Sequence, residues 1–244
     1  MDKALEFNLK SIEIRVSRDG IHIRPDEDLS YLKRVIRDRG LRVSLLASYV
    51  RTCDPTDLRC RESLEELEKI LRISYEIECG RVRVLAGYIE DLHNSIITIR
   101  RFLDRVESLS REYNTLLLFE THDYFAERHN LERLIEVVRE YRDVSGILYD
   151  PANMLIRNTR VEESLRIVRE YTYHVHIKDL VILGGGRYRY TRPGEGVLPI
   201  CRVLRELWSR DVVFSIEWER MWVRELENSD LIIPLYLDYM MSCL

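Results

Sequence analysis

The sequence predicts an α/β fold of the TIM type, a (β/α) barrel with parallel strands inside and helices outside. Short β-branched runs alternate with longer segments whose apolar residues recur at intervals of three and four. Such alternation along a whole chain indicates a parallel sheet covered by helices. Polar residues also gather where several runs end, which is where such a barrel has its active site. No glycine-rich phosphate motif, which would favour an open doubly wound sheet, follows any of the runs.

The elements follow one another in a regular order. The predicted strands are Ser11–Val16, Leu41–Ala47, Val82–Ala86, Leu116–Glu120, Gly146–Asp150, Tyr173–Ile177 and Val212–Glu217. The predicted helical segments are Asp2–Phe7, Arg61–Glu78, Leu92–Glu112, Leu131–Tyr141, Val161–Tyr171 and Ile200–Ser209. The three consecutive glycines at 184–186 have no strand-to-helix context, so we expect a flexible turn there.

Seven strands are recognisable, whereas a complete barrel of this type has eight. The helical segment Asp2–Phe7 leads into the first run, so we expect the chain to begin after the place of a missing first strand. Seven strands leave a seam, meaning two unpaired strand edges, which proteins cover with a helix, a loop or another subunit. A second copy of the chain is therefore a predicted partner. No linker interrupts residues 1–244, so we expect a single domain.

The composition is that of a globular protein without a membrane span. Of 244 residues, 45% are hydrophobic and 33% charged, and 38 Lys and Arg against 42 Asp and Glu give a formal net charge of −4. This balance argues against nucleic acid as the main partner, because nucleic-acid binding needs a clustered positive face. The apolar stretches are too short to cross a bilayer, and the acidic start lacks a signal-peptide pattern. We expect a cytoplasmic protein with no membrane partner.

The five cysteines contain no CxxC pair, and an odd number cannot all pair within one chain. Cys53 and Cys60 are close enough in sequence to form a bridge, but free thiols are the prediction for all five. The high charged fraction and the low number of glycines, 10, are typical of a heat-tolerant protein with dense ion pairs.

Four of the predicted strands end in a side chain that can ligate a hard metal ion. These residues are Glu120, Asp150, His176 and Glu217. A carboxylate that closes an apolar run is costly to bury unless another group pairs with it. An ion pair with a neighbouring arginine is the alternative for each carboxylate, but the same pattern at four strand ends favours a shared site.

The alternation of side chains along a strand adds neighbours to this set. His122 shares a face with Glu120, Lys178 shares a face with His176, and Glu219 shares a face with Glu217 and is its alternative as a ligand. Three carboxylates and one imidazole suit Mn²⁺, Mg²⁺ or Co²⁺, and can also hold Zn²⁺. The sequence therefore predicts one divalent metal ion at the mouth of the barrel.

The strand-end segments FETHD, YDPAN, HVHIKD, RPGEGVLP and SIEWE, in this order, resemble those of the sugar phosphate isomerase/epimerase superfamily, the xylose isomerase-like TIM barrels. The resemblance covers nearly the whole chain. It implies that Glu120, Asp150, His176 and Glu217 hold a single divalent metal ion. It also implies that a sugar-like substrate lies close to the side chains of His122, Asn153 and Lys178.

The same resemblance implies a reaction. In the family's isomerases and epimerases, two glutamates flank the substrate, and they remove and return a carbon-bound proton through an enediolate that the metal stabilises. Here these glutamates are Glu120 and Glu217. Family members that bind ketoses often have histidine where this chain has Asn153, which cannot act as an acid or a base near neutral pH. We therefore expect a metal-dependent isomerase or epimerase acting on a sugar, a sugar phosphate or a related polyol or ketose.

Two alternatives belong to other functional classes. A non-catalytic barrel that serves as a binding protein is consistent with the missing strand. An endonuclease for abasic DNA, which the same superfamily contains, needs a trinuclear zinc site with many histidines. With 6 histidines in the chain and Asn153 at a position where that site needs a ligand, the nuclease is the weaker alternative.

Overall fold

Strands and helices alternate along the chain in the predicted order. The computed structural model describes residues 1–58, 60–208 and 211–244. The strands are Ser11–Val16 (β1), Arg42–Ser48 (β2), Arg81–Val84 (β3), Leu116–Glu120 (β4), Ser145–Tyr149 (β5), Thr172–Ile177 (β6), Asp179–Gly184 (β7), Arg187–Thr191 (β8) and Val213–Ile216 (β9). The helices are Asp2–Glu6 (α1), Ser30–Arg39 (α2), Cys60–Glu76 (α3), Leu92–Glu112 (α4), Arg128–Glu140 (α5), Pro151–Ile156 (α6), Val161–Val168 (α7), Ile200–Leu207 (α8) and Ser229–Ser242 (α9), with a 3₁₀ turn at Asp123–Ala126.

In the described part of the chain, seven strands form one sheet in the order β1-β2-β3-β4-β5-β6-β9. Neighbours pair in parallel, as between β1 and β2 and between β6 and β9. The predicted fold class, a TIM-type (β/α) barrel with seven recognisable strands, is confirmed. Strands β7 and β8 form a separate antiparallel hairpin, and the glycines at 184–186 make its turn, as predicted.

Contacts within the chain divide it into two compact units. The first comprises residues 1–120 and 133–147, and the second comprises residues 121–132 and 148–244. The single domain expected over residues 1–244 stays a prediction. In the residues that the structure describes, no helix combines the length and the apolar character needed to span a membrane.

The first unit is built on β1 to β4 and the amphipathic helices α3 and α4. Helix α3 buries Leu67, Ile70 and Leu71, and α4 buries Ile99 and Phe102. The spacing of three and four places these side chains on one face of each helix, where they pack as a core. The last residue of this unit's β4 is Glu120, which is 2% exposed.

The second unit contains the strand pair β6–β9. In its register, His176 pairs with Ser215 and Ile177 pairs with Ile216. The backbone N–H of Glu217 continues this pairing by donating to the Ile177 carbonyl at 3.1 Å. The residues that follow the two strands, among them Lys178 and Glu217, therefore lie side by side.

The prediction of free thiols is wrong for four cysteines. Cys53 and Cys60 form a disulfide, and Cys201 at the start of α8 forms another with Cys243, which follows α9. Both pairs have Cα atoms within the range that a disulfide spans, at 5.5 Å and 4.9 Å. Cys79 has a free thiol, and burial raises its pKa to about 11.

Several helix limits differ from the predictions by a few residues. Helix α5 begins at Arg128, three residues earlier than expected, and α7 ends at Val168 rather than at Tyr171. Helix α8 ends at Leu207, and the predicted end at Ser209 lies outside the described residues.

Candidate metal centre

Asp150 follows β5 directly and is fully buried. Its side chain accepts a hydrogen bond from the backbone N–H of Asn153 at 2.9 Å, so it caps α6, whose first residue is Pro151. An aspartate cap followed by proline is a favourable helix start. The cap holds one carboxylate oxygen and fixes the orientation of the other.

Asp150, His176 and Glu217 are brought together from the ends of β5, β6 and β9. Each offers one ligand atom, and these atoms lie within 4.8 Å of one another. His176 is 1% exposed, and its Nδ1 lies 3.3 Å from Oε2 of Glu217, whose side chain is 28% exposed. Three of the four predicted ligands thus form one cluster in the second unit.

Lys178 lies in the middle of these carboxylates and is 2% exposed. Its Nζ is 2.7 Å from Asp150 Oδ2 and 2.9 Å from Glu219 Oε1, and it also donates a hydrogen bond to Glu217 Oε2. Burial acts to lower the pKa of Lys178, but the carboxylates outweigh it and raise this pKa well above its usual value. The ammonium group therefore stays charged throughout the neutral range.

The contacts of Glu217 with the cluster lower its pKa, whereas those of Lys178 raise the lysine's pKa. Burial acts to raise the pKa of its carboxyl group, but His176 and Lys178 together hold the pKa well below its ordinary value. The carboxyl group is therefore ionised at neutral pH, as a metal ligand must be.

Glu219 and Tyr190 extend the cluster. Glu219 was predicted only as an alternative to Glu217, and Tyr190 is not among the predicted site residues. The Tyr190 hydroxyl donates to Glu219 Oε1 at 2.8 Å, and Lys178 Nζ lies 5.8 Å from the centre of the tyrosine ring. Burial raises the pKa of Tyr190, which keeps the hydroxyl protonated as a donor. Glu219 was available from sequence through its shared face with Glu217, whereas Tyr190 belongs to the β7–β8 hairpin, which the hydrophobic pattern did not predict.

Glu120, the fourth predicted ligand, closes β4 in the first unit. Arg83 Nη1 lies 3.1 Å from Glu120 Oε2, and both side chains are buried. Arg83 also donates from Nε to the Ser48 carbonyl at 2.9 Å. The arginine partner considered from sequence is therefore present at Glu120, and it contacts one of the carboxylate oxygens.

The predicted substrate-binding residues His122 and Asn153 both lie in the second unit. His122 follows β4 after Thr121, and its Nδ1 is 3.0 Å from Asp123 Oδ2. Asn153 lies in the first turn of α6, and its buried Nδ2 has no hydrogen-bond partner among the described residues. An amide donor of this kind is suited to a substrate hydroxyl.

Asp179 has a structural role that the sequence did not reveal. Its buried carboxylate accepts hydrogen bonds from the backbone N–H groups of Leu180, Gly194, Gly196 and Leu198 at 2.8 to 3.0 Å. A side chain at Gly196 would overlap this carboxylate. Asp179 therefore fixes the RPGEG loop to the strand that follows Lys178.

The donor set and the charge of the cluster fit a divalent metal ion. Asp150, His176 and Glu217 supply oxygen and imidazole ligands, which Mg²⁺, Mn²⁺, Co²⁺ and Zn²⁺ all accept. In the ion pairs of Lys178, one ammonium group faces three carboxylates, including Glu219. One ammonium group cannot balance three carboxylates, and a divalent cation would compensate the negative charge that is left.

A family model described as xylose isomerase-like TIM barrel matches residues 1–234. A search of the curated proteins finds no match. Among solved structures, the chain is similar to the IOLI protein with a bound zinc atom, with 15% identity, a TM-score of 0.80 and coverage of 100% of this chain and 92% of that one.

Two further structures share the fold. The 3-keto-D-glucoside 4-epimerase YcjR from E. coli has 18% identity and a TM-score of 0.73, over 98% of this chain and 91% of that chain. A xylose isomerase-like TIM barrel protein from Mycobacterium smegmatis in complex with magnesium has 14% identity and a TM-score of 0.71, over 99% and 85%. At these identities the similarity shows a common fold.

Proposed function

The chain belongs to the xylose isomerase-like TIM barrel family, and on that premise we propose that it is a divalent-metal-dependent isomerase or epimerase. Its substrate is a sugar, a sugar phosphate or a related polyol or ketose. The observation that carries the proposal is the convergence of Asp150, His176 and Glu217 within 4.8 Å at the ends of parallel strands. The epimerase and the metal-containing proteins among the similar structures support the same conclusion.

In this proposal, Asp150, His176 and Glu217 hold the metal, and Glu120 completes the set as the fourth ligand. The buried position of Glu120 at the end of β4 supports its assignment. Oxygen-rich sites of this kind accept Mg²⁺, Mn²⁺ or Co²⁺, and the imidazole also admits Zn²⁺. The surplus of negative charge around Lys178 favours a divalent over a monovalent ion.

In the proposed reaction, the two glutamates transfer the proton and the metal activates the substrate. When bound, the metal polarises a substrate carbonyl and makes the neighbouring carbon-bound proton more acidic. Glu120 and Glu217 are the two carboxylates that remove and return that proton. A carboxylate that stays ionised, as Glu217 does, can accept a proton only when it lies directly against the reacting carbon, so positioning carries much of the catalysis.

His122, Asn153 and Lys178 are the proposed contacts for the substrate. The buried Nδ2 of Asn153 supplies a hydrogen-bond donor, and Lys178 supplies a positive charge. A small sugar-like molecule is the expected partner, and a second copy of the chain is the proposed partner that covers the unpaired strand edges. We also propose a cytoplasmic location. Disulfides are rare in the cytoplasm outside hyperthermophilic organisms, so this location requires that the heat tolerance expected from the composition extends to the source of the protein.

Metal analysis of the purified protein tests the proposal. Each of the variants Asp150→Ala and His176→Ala is expected to lose the bound metal that the unmodified protein carries after equilibration with Mn²⁺. His129→Ala, at an exposed histidine on α5, is the matched control and is expected to retain the metal. Metal content that stays the same in all three variants would refute the site and favour the non-catalytic binding protein.

Isotope exchange tests the chemistry separately. Incubation in deuterated water with a panel of ketoses should introduce deuterium at the carbon beside the carbonyl, and Glu217→Gln should abolish the exchange. A protein that binds metal but shows no exchange with any ketose would refute the proton-transfer reaction. Cleavage of abasic DNA in the presence of excess zinc would instead establish the nuclease.

A further inference from the structure

Lys178 shares its ammonium group between two kinds of carboxylate. Asp150 and Glu217 belong to the proposed metal site, whereas Glu219 stands outside it. The Nζ atom contacts Oδ2 of Asp150, Oε2 of Glu217 and Oε1 of Glu219. The lysine thus occupies carboxylate oxygens of two of the proposed metal ligands.

A buried ammonium group and a divalent ion cannot use those oxygens equally well at the same time. Both carry positive charge, and they repel each other strongly in a site shielded from water. A buried lysine also cannot give up its carboxylate partners without another partner to replace them. Metal binding therefore requires that Lys178 have a second acceptor.

Glu219 is positioned to be that acceptor. It follows Glu217 by two residues, and the Tyr190 hydroxyl holds its Oε1 in place with a hydrogen bond of 2.8 Å. Tyr190 is 7% exposed, and the centre of its ring lies 5.8 Å from Lys178 Nζ. An ammonium group that leaves Asp150 and Glu217 thus keeps one anchored carboxylate.

We infer that Lys178 is an internal competitor of the metal ion, and that Glu219, positioned by Tyr190, sets the strength of that competition. The inference rests on the proposed function, because it takes Asp150 and Glu217 as metal ligands. Lys178 lowers the affinity for the metal by occupying the ligand oxygens. Glu219 raises the affinity because it stabilises the lysine in the position that leaves those oxygens accessible.

Calorimetric titration of the metal-free full-length protein with Mn²⁺ tests this competition. Lys178→Met should lower the Kd for Mn²⁺ by about tenfold or more, and Glu219→Gln should raise it by about tenfold, since a hydrogen bond to a charged group has that effect on an equilibrium. In the double variant, Glu219→Gln should have no further effect, because the lysine it retains is gone. Arg202→Met on α8, which removes one positive charge from the surface ion pairs with Glu162 and Glu206, is the matched control and should leave the Kd unchanged.

The double variant separates competition from general electrostatics. If Lys178 acted only through its charge at a distance, Glu219→Gln would weaken Mn²⁺ binding equally with and without the lysine, and the inference would be overturned. A Kd for Lys178→Met equal to or above that of the unmodified protein would overturn it as well, while leaving the proposed function intact. If Lys178→Met does not fold, an unchanged or lower Kd for Glu219→Gln alone refutes the competition. Failure of the unmodified protein to bind Mn²⁺ would instead refute the proposed function.

Discussion

Replacing Asp179 by asparagine should destabilise the protein, although the side chain keeps almost the same size and shape. The carboxylate of Asp179 accepts four backbone N–H groups, two at each oxygen. Oδ1 accepts from Leu180 and Leu198, and Oδ2 accepts from Gly194 and Gly196. An asparagine side chain offers one oxygen, so two of these donors would face an amide group that cannot accept from them.

The magnitude follows from those two lost hydrogen bonds. A hydrogen bond to a charged group contributes about 1.5–3 kcal/mol, and a buried donor left without an acceptor costs a similar amount. Burial raises the pKa of Asp179 despite these hydrogen bonds, so removing the charge recovers part of the loss. Asp179→Asn should therefore lower the free energy of unfolding by at most about 3–6 kcal/mol. This is a large fraction of the 5–15 kcal/mol that is typical of a folded domain.

Urea unfolding followed by circular dichroism measures this loss. Glu227→Gln makes the same acid-to-amide change and is the control, because the bidentate pair of Glu227 with Arg192 lies on the surface and contributes little. A shift in the midpoint of unfolding that is no larger for Asp179→Asn than for Glu227→Gln would show that the four N–H contacts do not stabilise the loop.

Three other predictions concern the cysteines and one ion pair. Unfolding without a reductant should expose one reactive thiol, at Cys79, and unfolding after reduction should expose five; three or five thiols without reduction would refute at least one disulfide. In the folded protein at pH 8, alkylation of Cys79 by iodoacetamide should be at least about a hundredfold slower than that of a free cysteine. The reason is that a pKa of about 11 leaves roughly one thiol in a thousand ionised. Equal alkylation rates, measured by mass spectrometry, would contradict the burial of Cys79. The hydrogen bond from Arg100 lowers the pKa of Glu140, so this carboxylate stabilises the folded state above its ordinary pKa, and the stabilisation is lost as the pH falls through the lowered value. Glu140→Gln should therefore be slightly less stable than the unmodified protein at pH 7 and equally stable in strong acid, and a difference in thermal midpoint that grows as the pH falls would refute this sign.

The seven strands of the parallel sheet were the most predictable part of the fold, whereas the hairpin strands β7 and β8 were not predicted. Runs such as Leu116–Glu120 combine apolar, β-branched or aromatic residues with an abrupt polar end, and this run matches β4 residue for residue. Helix α4 was equally clear, because its apolar spacing continues for 21 residues after the cap at Asp91. Long periodic segments are the easiest to predict, since each helical turn repeats the same pattern of apolar residues.

The elements that escaped prediction lack such a repeat or are too short to establish one. Helix α9 is apolar on most sides and contains Pro234, so its sequence shows no clear polar face. Helix α6 has six residues and is marked only by its Asp150 cap and Pro151. Helix α2 was not predicted either, although its sequence contains a stop signal. Gly40 follows it in the left-handed conformation that ends many helices. The disulfides depend on distances between remote segments, which spacing in the sequence does not provide.

In the candidate site too, some features follow from the sequence of a single strand, whereas others depend on how distant strands pair. Alternation along β6 placed Lys178 on the face of His176, and the end of β9 offered Glu217 and Glu219 as alternatives for one ligand position. Which carboxylates surround the lysine depends on the register between β6 and β9, and this is set by His176 opposite Ser215. A shift of one residue in that register would turn Glu217 and Glu219 away from Lys178 together, because successive side chains point to opposite faces.

That register also explains why both glutamates are retained beside one lysine. Glu217 contacts His176 and Lys178, so it links the imidazole ligand to the ammonium group, whereas Glu219 contacts Lys178 and the hydroxyl of Tyr190. With Glu217 alone, a metal ion would leave the buried lysine without a carboxylate; with Glu219 alone, the cluster would lose its third ligand. The two positions are therefore not interchangeable. Exchanging Glu219 for glutamine should change metal affinity through Lys178, whereas the same exchange at Glu217 should remove a ligand whether or not the lysine is present.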